Sequence, residues 1–323
     1  MSFAPPPPPP ARSVEVFSDV RAALGRLALT TVALTMSAAP ALAACPAPYN
    51  VPAVVACTAS VSVITCRLDS TVSNNVQPIY YSETYTSGTR YFHAFGTDDN
   101  GDKFCDEIEV QTAQITGLNV VGSDNADAIY LNYAGNPTAQ MVITVDADSG
   151  SDTIDGSNST TSVDTLNGDG GNDTIDGKAG DDEVNGGDGN DDLTGGDGDD
   201  VLDGGGGTDT LRGNAGADVM DGGADDDTMF GQDGADFMEG GTGNDKMKGS
   251  DGNDEMYGGD GDDEVCGEAG PADTRFGGNG EDDLHAGSGS ESVDGGGLES
   301  DWCSGYGTGS AINCDFPSFA CAW

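Results

Sequence analysis

The chain has 323 residues, 57 of them acidic and 11 basic, for a formal net charge of −46. A surface this negative repels polyanions and argues against nucleic acid and anionic lipid as direct partners. The length leaves room for two domains.

In chain order, the first predicted element is a leader over residues 1–44. Arg12, Arg21 and Arg26 precede an apolar run from Leu27 to Met36, and Ala41-Leu42-Ala43 supplies a small-x-small cleavage pattern. The run is shorter than the ~20 residues a spanning helix needs, so a signal peptide is expected and a membrane span is not. The hexaproline Pro5–Pro10 lengthens the leader, and a start codon further downstream is an alternative reading. Leu42-Ala43-Ala44-Cys45 also resembles a bacterial lipobox, which would anchor a lipid on Cys45. Ordinary cleavage keeps all 8 cysteines, an even number, and parity favours a disulfide at Cys45. Cysteines behind a signal imply an oxidising compartment.

Residues 45–121 are expected to form a small disulfide-containing β-rich domain, or a cap continuous with the region after it. Strand-like stretches lie at 61–66, 79–81, 89–95 and 108–110, separated by the turn signals Asn74-Asn75, Ser87-Gly88 and Asn100-Gly101. Asp98, Asn100, Asp102, Asp106 and Glu109 have the spacing of an EF-hand loop, but Lys103 stands where that loop needs glycine. An acidic hairpin turn is the preferred reading. The only histidines are His93, read as a packed strand residue, and His285, read as outward and solvated. Without a His-Glu-x-x-His or Gly-x-Ser-x-Gly signature, no enzymatic activity is expected. Tyr80, Tyr81, Tyr85, Tyr91, Phe92 and Phe95 suit either sugar stacking or the core of a small β domain.

A nine-residue phrase then takes over, Gly-x-x-Gly-x-Asp-x-(apolar)-x, with Gly168-Asp169-Gly170-Gly171-Asn172-Asp173-Thr174-Ile175-Asp176 as a model unit. Its aspartate recurs at Asp164, Asp173, Asp182, Asp191, Asp200, Asp209, Asp218, Asp227, Asp236, Asp245, Asp254 and Asp263, always nine apart. The apolar residue two places on runs from Leu166 to Val265 in the same step. A fixed short period marks a solenoid. The first six positions read as a tight loop and the last three as a very short strand with one inward side chain. Two units make one coil of 18 residues, so alternate aspartates should stack in two rows on opposite edges. Stacked carboxylates repel, and a hard dication that takes six to eight oxygens resolves the conflict.

The phrase resembles the calcium-binding nonapeptide repeat of the RTX (hemolysin-type) family, over roughly residues 147–294. The resemblance implies an all-β fold, a right-handed parallel β-roll solenoid over 122–294, preceded by the small β-rich N-terminal region. It also implies multiple Ca2+ ions between adjacent loops, held by the sixth-position carboxylates and loop carbonyls. The expected metal residues are the twelve aspartates above with Asp152 upstream and Asp282 downstream. Position five (Asn172, Asp181, Asn190, Asp199, Asn244, Asn253, Asp262) offers further oxygens.

Departures from the pattern carry their own expectations. Asp225 replaces a fourth-position glycine and should weaken its loop, although aspartate tolerates left-handed φ better than most residues. One extra residue near Pro271 puts Asp273 out of register, Asp282 restores the phase, and Glu291 stands in for aspartate. Asp127 with Ile129 reads as a degenerate unit, and such flanks suit the caps that solenoid ends need. Met220, Met229, Met238, Met247 and Met256 fill consecutive core positions, read as flexible filler in preference to a copper ladder. Residues 295–323 should form a disulfide-containing C-terminal cap. Two strand spacings separate Cys266 from Cys303, beyond disulfide reach, so Cys303–Cys314 and Cys266–Cys321 are the expected bridges.

Together these readings describe a secreted, extracellular bacterial protein that acts as a calcium-dependent structural or adhesive module. Calcium is the expected partner, with cell-surface polysaccharide or another surface protein as further candidates. The rival class is a secreted enzyme or carbohydrate binder with its activity in the N-terminal region. Family toxins and proteases leave without an N-terminal signal and are poor in cysteine, so the resemblance supports calcium binding rather than their activities.

Overall fold

A computed structural model of the chain describes residues 55–59, 63–68, 79–86, 89–97, 103–110, 117–122, 126–132, 142–268, 272–285, 292–297, 300–304 and 310–312, those up to 110 as backbone only. The leader over 1–44, Cys45, the turn at 98–102, Pro271, Glu291, Cys314 and Cys321 lie outside these residues. Every described element is a strand, and the strands fall into two sheets of thirteen.

Each nonapeptide makes one strand and one loop, and successive strands join alternate sheets. Thr174–Ala179 pairs in parallel with Asp192–Asp197, setting Ile175 beside Leu193, while Glu183–Asp188 pairs with Val201–Gly206 in the other sheet, setting Val184 beside Leu202. The 18-residue step between partners is the two-unit coil. The strands are six residues long rather than three: Thr174–Ala179 spans the last three positions of one unit and the first three of the next. The hydrogen-bonded ladder continues through glycine, which leaves the inward side of the first position empty. Alternation within the strand therefore buries two positions, the apolar residue and the following glycine.

The core is correspondingly thin. One column runs Leu166, Val184, Leu202, Met220, Met238 and Met256. The other runs Ile154, Ile175, Leu193, Leu211, Met229, Met247, Val265, Leu284 and Cys303. Both columns belong to one buried cluster, and every residue of the two columns is at most 1% exposed. The five methionines are split between the two sheets, three and two. Unbranched side chains of this kind fill a narrow interior adaptably.

At the N-terminal end the pairing continues without a break. Val63–Leu68 lies parallel to Gly117–Val121, which lies parallel to Val142–Asp146. In the other sheet Ile79–Thr86 lies parallel to Ala128–Asn132. Beyond them the strands turn antiparallel: Val55–Ala59 folds onto Val63–Leu68, and Thr89–Thr97 and Lys103–Val110 are added as hairpin partners. Of the EF-hand-like spacing, Asp106 and Glu109 lie inside a strand, opposite Ala94 and Tyr91, and the two strands pair as a hairpin up to Thr97 opposite Lys103, as the hairpin reading expects. At the other end Trp302–Ser304 and Ser310–Ile312 add one further strand to each sheet.

Candidate metal centre

The sixth-position aspartates form two rows, one along each edge. The odd row takes Asp152, Asp173, Asp191, Asp209, Asp227, Asp245, Asp263 and Asp282; the even row takes Asp164, Asp182, Asp200, Asp218, Asp236 and Asp254. All are at most 3% exposed. Along each row the backbone N–H of one aspartate donates to Oδ1 of the aspartate in the next coil, at 2.7 to 3.1 Å. One carboxylate oxygen is therefore committed to stacking the coils.

The other oxygen faces a different environment. Oδ2 of Asp152, Asp173, Asp182, Asp191, Asp200, Asp209, Asp218, Asp227, Asp236, Asp245, Asp254 and Asp263 is buried and accepts no hydrogen bond. Leaving a charged acceptor buried and unmet is costly, and a row of them has to be met by something. The first-position glycine explains where these oxygens point. A Cβ placed on Gly204 would lie 2.7 Å from Asp209 Oδ2 and 2.6 Å from the carbonyl oxygen of Gly222 in the next coil. On Gly222 it would lie 2.6 Å from Asp227 Oδ2 and 2.8 Å from the Gly240 carbonyl oxygen. Each unit thus keeps open an oxygen-lined cradle that any other residue would fill. Hard anionic and carbonyl oxygens in a clear cradle fit calcium, which takes oxygen donors in flexible geometry.

Burial pushes these carboxyls up from the ordinary 3.8, with neighbouring carboxylates adding to the effect and the accepted N–H opposing it. Asp191, Asp200, Asp209, Asp218, Asp236 and Asp245 rise to about 6. Asp152, Asp182, Asp254 and Asp263 rise to about 7, and Asp227 to about 8. Asp225 is among the charges that raise Asp227. The same Asp225 takes a positive φ of 76°, where glycines at that position such as Gly216 and Gly243 take 149° and 141°. Bound calcium would supply the positive charge these carboxylates lack.

Residues 159–271 match the family model of the RTX calcium-binding nonapeptide repeat, in five segments. This stretch is similar to RTX repeats. No curated protein matches the chain.

Several residues outside the expected metal set also enter the rows. Asp127 joins the odd row at its start, its N–H donating to Asp152 Oδ1 at 2.5 Å, and Asp301 joins at its end, accepting from Asp282 at 3.1 Å. Asp273, expected out of register, accepts from the Asp254 N–H at 3.1 Å. Ser250 pairs with Glu268, 18 on, and Glu255 with Thr274, 19 on, so the extra residue falls between these strands and the aspartate keeps its place on the edge. Asp164, first in the even row, accepts the Ser157 N–H on Oδ2 at 2.7 Å, inside the inserted Ser157–Ser162 loop, and it is Oδ1 that stays buried and unmet.

The position-five side chains are placed differently from expectation. The N–H of Asn190 donates to Asn172 Oδ1 at 3.2 Å, that of Asp199 to Asp181 at 3.1 Å, and that of Asp262 to Asn244 at 2.9 Å. They form an outer, exposed ladder that staples loop to loop. His285 is outward in the strand yet only 5% exposed, with Nε2 3.4 Å from Asp283 Oδ1 and 4.0 Å from Glu264 Oε1, so it is not solvated as expected. Glu264, Cys266 and His285 bring donor atoms within 4.8 Å of one another. Cys266 is not a free thiol, which removes the soft ligand such a site would need.

Proposed function

We propose that the chain is an exported, surface-associated bacterial protein whose roll binds a row of calcium ions along each edge and serves as a calcium-dependent structural or adhesive module. The observation that carries this reading is the pairing of a buried, unmet Oδ2 with a carbonyl-lined cradle in coil after coil. In low calcium, two rows of crowded carboxylates oppose a core only two side-chain columns wide. In the millimolar calcium outside a cell, ion binding adds directly to folding free energy. The leader over 1–44 supports export, and the absence of a catalytic signature supports a binding role rather than an enzymatic one.

The register supports the expected cysteine pairing. Cys303 continues the inward Val265–Leu284 column, whereas Cys266 pairs with His285 on the outward side, so the two alternate faces two strands apart. Non-reducing peptide mapping should return Cys303–Cys314 and Cys266–Cys321; a 266–303 bridge would refute that assignment.

Titration calorimetry on the exported chain tests the function. Several calcium ions per chain, with magnesium failing to compete at equal concentration, is the expected result. No saturable calcium uptake would remove the proposal. Deleting residues 1–44 should leave the chain in the cytoplasm, and continued export would overturn the localisation.

A further inference from the structure

The even row ends in a cradle that does not fit a metal ion. In the even-row sheet, the inward column that runs down to Met256 continues with Arg275 and then Val293. Arg275 thus occupies a position held by an apolar side chain in the coils on either side. It is 0% exposed, and its Nη1 stands 3.5 Å from Oδ2 of Asp273, itself 1% exposed. The cradle belonging to Asp273 is the one kept open by Gly267. In the other units the space beyond that glycine is bounded by the aspartate Oδ2 and a glycine carbonyl of the next coil. Here a Cβ on Gly267 would overlap Arg275 Nη1 and lie 2.6 Å from Asp273 Oδ2. The guanidinium therefore reaches out of the core into the cradle itself.

A permanently protonated group in that position excludes a second cation and supplies the counter-charge an ion would bring. The sequence one coil on agrees with a cradle of another kind, having Ala286 where the units from Gly168 to Gly277 have a first-position glycine. Arg275 also counters the charge of Asp254 one coil back.

We propose that Arg275 is a resident cation that takes the place of calcium in the last even-row cradle, so that this end of the roll is neutralised by the chain itself at any calcium concentration. The proposal rests on the calcium reading of the remaining cradles.

Substitution at Arg275 gives the first test. Arg275→Met restores the residue type of the column and empties the cradle; the full chain should then bind one more calcium ion than wild type by equilibrium dialysis with metal analysis. Arg275→Lys keeps a cation and should leave the wild-type count. A folded Arg275→Met protein with the wild-type count would overturn the proposal. A crystal structure of the calcium-loaded wild-type chain makes the test independent of how any variant folds. It should show ions in the cradles of Asp182, Asp200, Asp218, Asp236 and Asp254 and none in that of Asp273. An ion beside Asp273 as well would overturn this inference alone, whereas empty cradles throughout would overturn the calcium reading and this inference with it.

Discussion

Replacing Asp200 by asparagine should move the stability of the roll in opposite directions with and without calcium. The side chain is nearly isosteric, and its Oδ1 can still accept the Asp182 N–H at 2.8 Å, so the coil stacking survives. Only the charge on the second oxygen is lost. Without calcium that loss is a gain: burial, then the charges of Asp181, Asp199 and Asp197, raise the Asp200 carboxyl from 3.8 to about 6. At pH 8 the ionised carboxylate therefore costs the folded state up to ~3 kcal/mol, at about 1.4 kcal/mol for each pKa unit. With calcium the variant loses an anionic ligand and turns N–H donors toward the ion, a penalty of roughly 1.5–3 kcal/mol. The local site should weaken by about 10- to 100-fold. Far-UV circular dichroism reads both arms: in chelator Asp200→Asn should fold at a lower concentration of stabilising osmolyte than wild type, and in saturating calcium it should unfold at a lower urea concentration. A shift of the same sign in both conditions would refute the assignment of Asp200 Oδ2 to the metal.

The same geometry carries two further outcomes. Gly204→Ala should abolish a local calcium site, because its Cβ would stand 2.6 to 2.7 Å from two cradle oxygens, whereas Gly206→Ala, whose Cβ meets nothing nearer than Asp188 Oδ1 at 3.8 Å, should bind normally; calorimetric stoichiometry equal for both would count against the cradle. A carboxyl whose folded pKa lies above its unfolded value holds its proton more tightly in the roll than in the open chain, so its contribution is complete below about 4 and is lost as pH rises through 6 to 8. Acidifying the chain from pH 8 to 5 in chelator should accordingly increase its β signal, while calcium affinity should fall over the same window as protons compete for the rows; a calcium-free β signal that decreased on acidification would contradict this.

The repeat made much of the molecule legible in advance. The nine-residue step implied the 18-residue coil, the split of the aspartates into two rows and the inward apolar file, because period and side-chain alternation are local properties of the chain. Strand length was not legible: the first-position glycine has no side chain to reveal that it continues the ladder, and its constancy from Gly168 to Gly277 is explained only by the cradle it leaves open. Asp273 was misplaced because a spacing count cannot tell an insertion that shifts the register from one taken up within a loop. The role of position five depended on which backbone N–H the next coil brings to it, a contact between residues 18 apart that composition does not encode. Arg275 escaped for a related reason. A charged residue in an apolar column looks like a lapse in the pattern until the neighbouring carboxylate is seen beside it.

The central claim is that calcium drives the folding of this roll, and far-UV circular dichroism of the exported chain during a calcium titration, with magnesium as the control, tests it most directly. The account predicts a cooperative coil-to-β transition that calcium produces and magnesium does not. A full β signal in chelator at neutral pH, unchanged on adding calcium, would contradict it.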